Sequence, residues 1–102
     1  MARKVVFRPR AEADLVALYD YIANAASPTI ARGYIDRIEA ACLALVTALE
    51  RGTRRDDIFP GLRTVGFERR VTIAFRVLRT QIEIVTIAYA GRDWERGPGD
   101  DD

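Results

Sequence analysis

Residues 71–89 read VTIAFRVLRTQIEIVTIAY, and their pattern is the most informative in the chain about its fold. In residues 71–78, large apolar side chains alternate with threonine, alanine and arginine, a pattern typical of a half-buried β-strand. Arg79-Thr80 makes a tight connection, and residues 81–89 are apolar on both faces, as expected of a central strand. The stretch therefore predicts two neighbouring strands of one small sheet.

On the N-terminal side of Gly52, the apolar residues recur at helical spacing instead. They predict two helices, at residues 10–25 and 28–51. Pro9 suits the first turn of the first helix, and Ser27-Pro28 supplies an N-cap and a first helical residue for the second. Gly52 is a candidate C-cap. Because so few residues separate the two helices, they are expected to form an antiparallel hairpin.

Two further strands are predicted, at residues 5–7 and 62–67, with a polar loop at 53–61 and a turn at 68–70. The fold class is therefore α+β. After an N-terminal strand, the antiparallel helical hairpin packs on one face of a small, mostly antiparallel sheet of three to four strands. One domain is expected to cover residues 1–96, and residues 97–102 are expected to form a flexible acidic tail.

Composition narrows the class of protein. The 102 residues contain no apolar run near the ~20 that span a bilayer and no signal peptide, so no membrane association is expected. The single cysteine, Cys42, excludes an internal disulfide and fits the cytoplasm. Because Cys42 lies among the apolar residues that recur at helical spacing in the second helix, it is predicted to be a core residue. Fifteen of the sixteen basic residues are arginine. The arginine fork binds carboxylates and phosphates alike, and a coding bias would produce the same excess, so this count does not choose a partner.

Four motifs, in this order and spacing, resemble the ParE-type toxins of the ParE/RelE superfamily of bacterial toxin–antitoxin systems. The resemblance extends over about residues 3–95, although Tyr89 stands where that family often has histidine. The motifs are RPRAEADL at 8–15, YDYIA at 19–23, PGLR at 60–63, and FRV at 75–77 followed by IEI at 82–84 and AGRD at 90–93.

The resemblance implies a type II toxin that is neutralised by an acidic, partly disordered ParD-like antitoxin in a hetero-oligomer. It also implies a toxin that inhibits DNA gyrase by binding, without a catalytic centre, cofactor, metal or sequence-specific contact with nucleic acid. The apolar faces of the two predicted helices are wide, and they suit an amphipathic helix from such a partner. The uncovered edge of the predicted sheet suits a strand from the partner. The apolar part of the predicted antitoxin groove comes from the first helix: Leu15, Leu18, Tyr19 and Ile22. The alternative is that these four residues belong to the core. The arginines predicted to clamp carboxylates of the antitoxin are Arg63, Arg70 and Arg76.

The segment after the last strand supplies the predicted contact with the toxin's target, through Arg92, Trp94 and Arg96. Tryptophan and arginine are frequent anchors at protein interfaces. The alternative is that Trp94 packs back onto the domain and holds the segment in place.

A RelE-like ribosome-dependent mRNA endonuclease is the alternative function. The chain has no histidine, so its catalytic groups would be Arg63, Arg76 and Tyr89, with Arg92 on the scissile phosphate. The competing interpretation is that these arginines are solvated or paired with carboxylates and that Tyr89 packs at the sheet edge. A third possibility is a module that binds the antitoxin but has lost toxicity.

Overall fold

Two helices pack on one face of a five-stranded sheet in the computed structural model, which describes residues 3–89. The order of elements is the predicted one, with one short strand added before the last three. The elements are β1 (Lys4–Phe7), α1 (Pro9–Ala25), α2 (Pro28–Leu43), a 3-10 turn (Ala44–Thr47), β2 (Thr53–Arg54), β3 (Leu62–Phe67), β4 (Val71–Val77) and β5 (Gln81–Tyr89).

Both helices begin as their sequences predict. Pro9 and Pro28 lie in the first turns, where the missing N–H groups cost nothing, and the Ser27 hydroxyl accepts a hydrogen bond from the Ile30 N–H at 3.1 Å. At the other end of α1, the Ala26 N–H donates to the Ile22 carbonyl at 2.8 Å. The short link between α1 and α2 produces the predicted antiparallel hairpin.

The second helix is shorter than the predicted 28–51, because α2 ends at Leu43 and is followed by a single 3-10 turn. The Thr47 hydroxyl donates to the Ala44 carbonyl, and such local side-chain bonds compete with helical ones. Gly52 is therefore not a helix cap. It adopts a φ of 85°, and a Cβ atom there would overlap the backbone carbonyl of Thr64.

The sheet has the strand order β1-β5-β4-β3-β2, in which only the β1–β5 pair is parallel. The predicted α+β architecture with a mostly antiparallel sheet is confirmed. The strand count exceeds the expected three to four, because Thr53–Arg54, predicted as loop, pairs with β3 as a two-residue edge strand. The predicted turn at 68–70 joins β3 to β4, and both Glu68 and Arg69 have positive φ there.

Both faces of β5 are buried, as its composition predicts. Facing the helices, Phe75 and Ile84 belong to the main core cluster together with Leu15, Leu18 and Cys42. On the opposite face a smaller cluster, covered by loop residues, contains Leu62, Ala74, Val85, Ile58 and Phe59. A register shift between β4 and β5 falls at Ala74/Phe75.

One hydrogen-bonded side chain sets the position of α1 on the sheet. Strand β1 pairs with β5 only as far as Ile84. Beyond that residue, the Asp14 carboxylate of α1 accepts hydrogen bonds from the hydroxyl of buried Thr86 and from the Ile87 N–H, the latter at 3.0 Å. Asp14 therefore takes the place of a neighbouring strand at this part of the β5 edge.

Candidate protein-binding site

A concave surface with aromatic side chains lies where four elements meet: the end of α1, the first half of α2, the β3–β4 turn and the end of β5. We call it the aromatic groove. It has a volume of about 560 Å³ and is open to solvent. Its principal side chains are Ile22, Ile30, Tyr34, Arg37, Glu68, Arg70 and Tyr89.

Tyrosine rings form the floor of the aromatic groove. The Tyr34 ring lies 6.4 Å from that of Tyr89, edge to face, and 6.0 Å from that of Phe67. Tyr21 contacts the Tyr89 ring from the side at 5.8 Å. Burial, helped by the nearby Glu68 carboxylate, raises the pKa of Tyr34 above its ordinary value, so its hydroxyl stays neutral and able to donate.

Arg37 and Glu68 close one side of the aromatic groove. The Arg37 Nε and Nη2 atoms donate to the two carboxylate oxygens of Glu68 at 2.9 and 3.1 Å, and the guanidinium lies 5.1 Å from the Tyr34 ring centroid. The hydrogen bond from Arg37 lowers the pKa of the Glu68 carboxyl. Because this pair is internally neutral, the charge on the rim comes from the exposed Arg70, which pairs with no carboxylate within residues 3–89.

Two large apolar side chains remain exposed beside these polar groups. Tyr21 is 59% exposed and Ile30 is 58% exposed. Tyr21 packs against Tyr89, and Ile30 lines the groove directly. A concave surface with exposed apolar walls and a basic rim suits a partner segment that carries apolar and acidic residues.

A second concavity, the helix-pair groove, lies between the outer faces of α1 and α2 and has a volume of about 520 Å³. Val16, which is 63% exposed, forms its apolar wall. Its one arginine, Arg32, is paired with Asp36 at 2.9 Å and with Glu39 at 3.8 Å. With Glu12 also on its wall, the helix-pair groove is apolar with an acidic rim.

The structure divides the predicted apolar antitoxin residues between three places. Leu18 lies in the core, where it is 5% exposed, and Leu15 is 8% exposed at the base of the helix-pair groove. Tyr19 lines the helix-pair groove, and Ile22 lines the aromatic groove. Leu15 and Leu18 are therefore engaged in the core, whereas Tyr19 and Ile22 are half-buried groove residues.

The three predicted carboxylate clamps are also divided. Arg70 lies on the rim of the aromatic groove. Arg63 instead donates to the carbonyl oxygens of Glu50 and Arg51, at 2.7 and 3.2 Å, and so holds the segment after the 3-10 turn. Arg76 clamps a carboxylate, but one from its own chain: its Nε and Nη2 atoms donate to Glu83 Oε1 at 3.1 and 2.9 Å.

The groups proposed for ribonuclease chemistry do not come together within residues 3–89. Arg63 is opposite Phe75 in the sheet, so it and Arg76 point to opposite faces. Tyr89 is opposite Val71, five residues along β4 from Arg76, which corresponds to about 16 Å. Three further predicted residues, Arg92, Trp94 and Arg96, lie outside the described residues.

Cys42 lies in the core, with 0% exposure, where burial raises the pKa of its thiol to about 12. Within residues 3–89 there is also no group of three or more histidine, cysteine or acidic residues able to hold a metal ion, and no helix long and apolar enough to cross a membrane.

The sequence predictions did not include Arg37, and they assigned Tyr34 only to the apolar residues of the second helix. Glu68 was predicted as part of the turn at 68–70 and as a carboxylate that pairs with an arginine, without Arg37 as its partner. The spacing of Tyr34 and Arg37, three residues apart on a helix, places them on one face and was a usable signal. Glu68 lies 31 residues beyond Arg37, so no local pattern connects the two.

Residues 3–89 form a small α+β domain, and the aromatic groove and the helix-pair groove are both open surfaces suited to a protein partner. The sequence matches the ParE toxin family of type II toxin–antitoxin systems, parDE, over residues 5–94. This chain therefore belongs to the ParE toxin family.

A solved structure from P. aeruginosa, described as a chromosomal ParDE toxin–antitoxin system, is similar to this chain, with a TM-score of 0.76 and 28% sequence identity. The similarity covers 87% of this chain and 97% of that one. No curated protein matches the sequence. The family and fold expected from the sequence motifs are confirmed.

Proposed function

We propose that this chain is the toxin of a type II toxin–antitoxin pair, that a ParD-like antitoxin neutralises it in the aromatic groove, and that it blocks DNA gyrase by binding. Membership of the ParE family supports the toxin assignment. The observation that carries the docking site is the combination of exposed apolar area, at Ile30 in the groove and at Tyr21 beside it, with a rim arginine, Arg70, that pairs with no carboxylate within residues 3–89.

An antitoxin that is acidic and partly disordered would gain from both features. An amphipathic helix could bury Ile30 and the tyrosine rings under its apolar face. An acidic residue on its flank could pair with Arg70 without first breaking an ion pair within residues 3–89. The helix-pair groove is less suitable, because Arg32 is already neutralised there and Glu12 would repel an acidic partner.

The docking site is tested by measuring antitoxin affinity for three toxin variants by isothermal titration calorimetry. Ile30→Asp and Arg70→Glu should each weaken binding by about 2 kcal/mol or more, which is about 30-fold, because each buries an uncompensated negative charge against an acidic partner. Val16→Asp is the matched control, since it places the same charge at an equally exposed apolar site in the helix-pair groove. Loss of affinity in Val16→Asp alone would assign the antitoxin to the helix-pair groove.

The gyrase target is tested in a supercoiling assay with purified gyrase. We expect full-length toxin to inhibit supercoiling, and a protein truncated after Tyr89 to be inactive because it lacks Arg92, Trp94 and Arg96. The truncated chain keeps the whole of β5, and circular dichroism should show that it remains folded. Unchanged supercoiling at a large molar excess of full-length toxin would reject gyrase as the target, and early cleavage of mRNA in expressing cells would favour the ribonuclease instead.

A further inference from the structure

We propose that the corner of the sheet where β1 begins binds the phosphate backbone of duplex DNA without reading its sequence. The binding residues are Arg3, Lys4 and Arg79, which we call the basic end. The choice of DNA among polyanions rests on the proposed function, because the proposed target, gyrase, acts on duplex DNA.

Backbone contacts bring the three residues of the basic end together. The turn between β4 and β5 is closed by a hydrogen bond from the Leu78 N–H to the Gln81 carbonyl at 2.8 Å, and Arg79 lies in this turn. Lys4 is paired with Gln81 in the β1–β5 ladder. The Arg3 side chain reaches the same turn, where its Nε donates to the Leu78 carbonyl at 2.7 Å. Three basic side chains therefore originate from one corner of the sheet.

The contact with Leu78 also holds the Arg3 guanidinium in place. The two Nη atoms of Arg3 form no hydrogen bond within residues 3–89, so they can donate to a ligand. The planar guanidinium fork matches the oxygen atoms of a phosphate, and a fork that is already held loses less freedom when it binds. Beside it, Thr80 and Gln81 supply a hydroxyl and an amide, groups that also contact phosphates in protein–DNA complexes.

The positive charge of the basic end is not neutralised within residues 3–89. Lys4 and Arg79 are exposed, and neither forms an ion pair in this part of the chain; the same holds for Arg3. The one acidic side chain of strands β1, β4 and β5 is Glu83. Its Oε1 atom already accepts hydrogen bonds from Arg76 at 3.1 and 2.9 Å, so it does not compensate the basic end.

The surroundings of the basic end favour a nucleic-acid backbone over an acidic protein. Protein interfaces are centred on buried apolar and aromatic side chains, whereas interfaces with DNA are more polar and more positively charged. The large apolar side chains that are exposed within residues 3–89 all lie on the two helices: Val16, Tyr21, Ile30 and Leu43. The basic end therefore offers charge without an apolar anchor, which suits phosphates.

Three phosphate contacts fix the expected salt dependence. Each neutralised phosphate releases counterions, so the logarithm of the binding constant falls with the logarithm of the salt concentration, with a slope of about −0.9 per phosphate. Three contacts give a slope of about −2.7, which is a loss of affinity of about 40-fold between roughly 50 and 200 mM salt. Because no base is contacted, duplexes of unrelated sequence should bind equally well.

Fluorescence anisotropy of a short labelled duplex, titrated with the full-length toxin alone, tests the proposal. Lys4→Gln and Arg79→Gln should each reduce the size of the slope by about 0.9, because each removes one phosphate contact. Arg51→Gln is the matched control and should leave the slope unchanged. Arg51 is also exposed and without a carboxylate partner within residues 3–89, but it precedes β2, at the opposite edge of the sheet from β1. Circular dichroism should show all three variants folded, since each replaced side chain is exposed.

Three results would overturn the proposal: no binding of the duplex at about 50 mM salt, an unchanged slope in both Lys4→Gln and Arg79→Gln, or an equal loss in Arg51→Gln. Tighter binding of a single-stranded RNA of the same length would overturn the choice of DNA. Weaker antitoxin binding by Lys4→Gln and Arg79→Gln, with DNA binding unchanged, would assign the basic end to an acidic protein.

The supercoiling assay separates this inference from the proposed function. If both hold, the double variant Lys4→Gln/Arg79→Gln should inhibit gyrase less than the unmodified toxin does. DNA binding through the basic end with supercoiling untouched would support the inference and reject gyrase as the target. Equal inhibition by the unmodified toxin and the double variant, with no DNA binding by either, would reject the inference and leave gyrase inhibition standing.

Discussion

Replacing Asp14 by alanine tests how the end of β5 is held against α1. The substitution removes the acceptor of two hydrogen bonds, one from the Ile87 N–H and one from the hydroxyl of Thr86, which is 1% exposed. A buried donor left without a partner costs about 1–3 kcal/mol. Because Asp14 is only half-buried, water can replace part of the loss, and we expect the free energy of unfolding to fall by about 3 kcal/mol.

The measurement is urea unfolding followed by circular dichroism. With a slope of about 1.5 kcal/mol per molar urea, the expected loss lowers the midpoint by about 2 M. Asp14→Asn keeps an acceptor oxygen but not the charge, so it should cost about half as much. Asp20→Ala, at an exposed position of the same helix, is the matched control and should stay within about 0.5 kcal/mol of the unmodified protein.

A double-mutant cycle with Thr86→Val isolates the contact between the two side chains. The coupling between Asp14→Ala and Thr86→Val should be about 1 kcal/mol, since each substitution alone removes the same hydrogen bond. The reasoning is refuted if Asp14→Ala is no more destabilising than Asp20→Ala, or if the two substitutions are additive.

Three further outcomes follow from single contacts. In urea unfolding, Gly61→Ala should lower the free energy of unfolding by about 1 kcal/mol, because the backbone there is left-handed. Gly52→Ala should lower it by about 3 kcal/mol or more, because its Cβ would also meet a backbone carbonyl oxygen. Equal losses in the two variants would contradict this close approach. In an NMR titration Glu68 should show a pKa below its ordinary 4.5, so the pair with Arg37 holds above that pH and is lost as pH falls through the lowered pKa. Arg37→Gln should return the Glu68 pKa towards 4.5, and an unchanged value would show that Arg37 does not cause the shift. Cys42, with a pKa of about 12, should resist thiol reagents at pH 8 until urea unfolds the chain, and rapid labelling of the native protein would contradict its burial.

The sequence predicts best those elements whose apolar pattern ends where turn residues begin. Strands 62–67 and 81–89 were predicted with the bounds that β3 and β5 have, because turn residues flank each of them. The helix at 28–51 was predicted too long because its apolar stripe continues past Leu43. Leu45 is buried at 1% exposure although it lies in the 3-10 turn, so burial alone did not reveal the end of the helix.

The candidate site was predicted less well, because residues that line the grooves and residues of the core share one apolar pattern. Leu18 and Ile22 follow the same stripe of α1, yet the first faces the core and the second faces the aromatic groove. Arg63 presents a similar difficulty, because it binds the carbonyl oxygens of residues 12 and 13 positions earlier, which no local pattern identifies. Arg76 pairs with Glu83, in agreement with the competing interpretation that the arginines are paired with carboxylates. Arg70, in the turn at 68–70, is exposed and pairs with no carboxylate within residues 3–89.

The hydrogen bonding of the sheet edges bears on how a partner can bind. A partner strand could extend the sheet only where edge N–H and C=O groups are free. On one side of the sheet the edge strand β1 is only four residues long, and beyond it the Ile87 N–H of β5 is already bonded to Asp14. On the other side β2 is only two residues long, with its Arg54 paired to Asp56. Neither edge offers a long free ladder within residues 3–89, whereas the aromatic groove offers exposed apolar area. Binding through side chains in a groove is therefore better supported than addition of a strand.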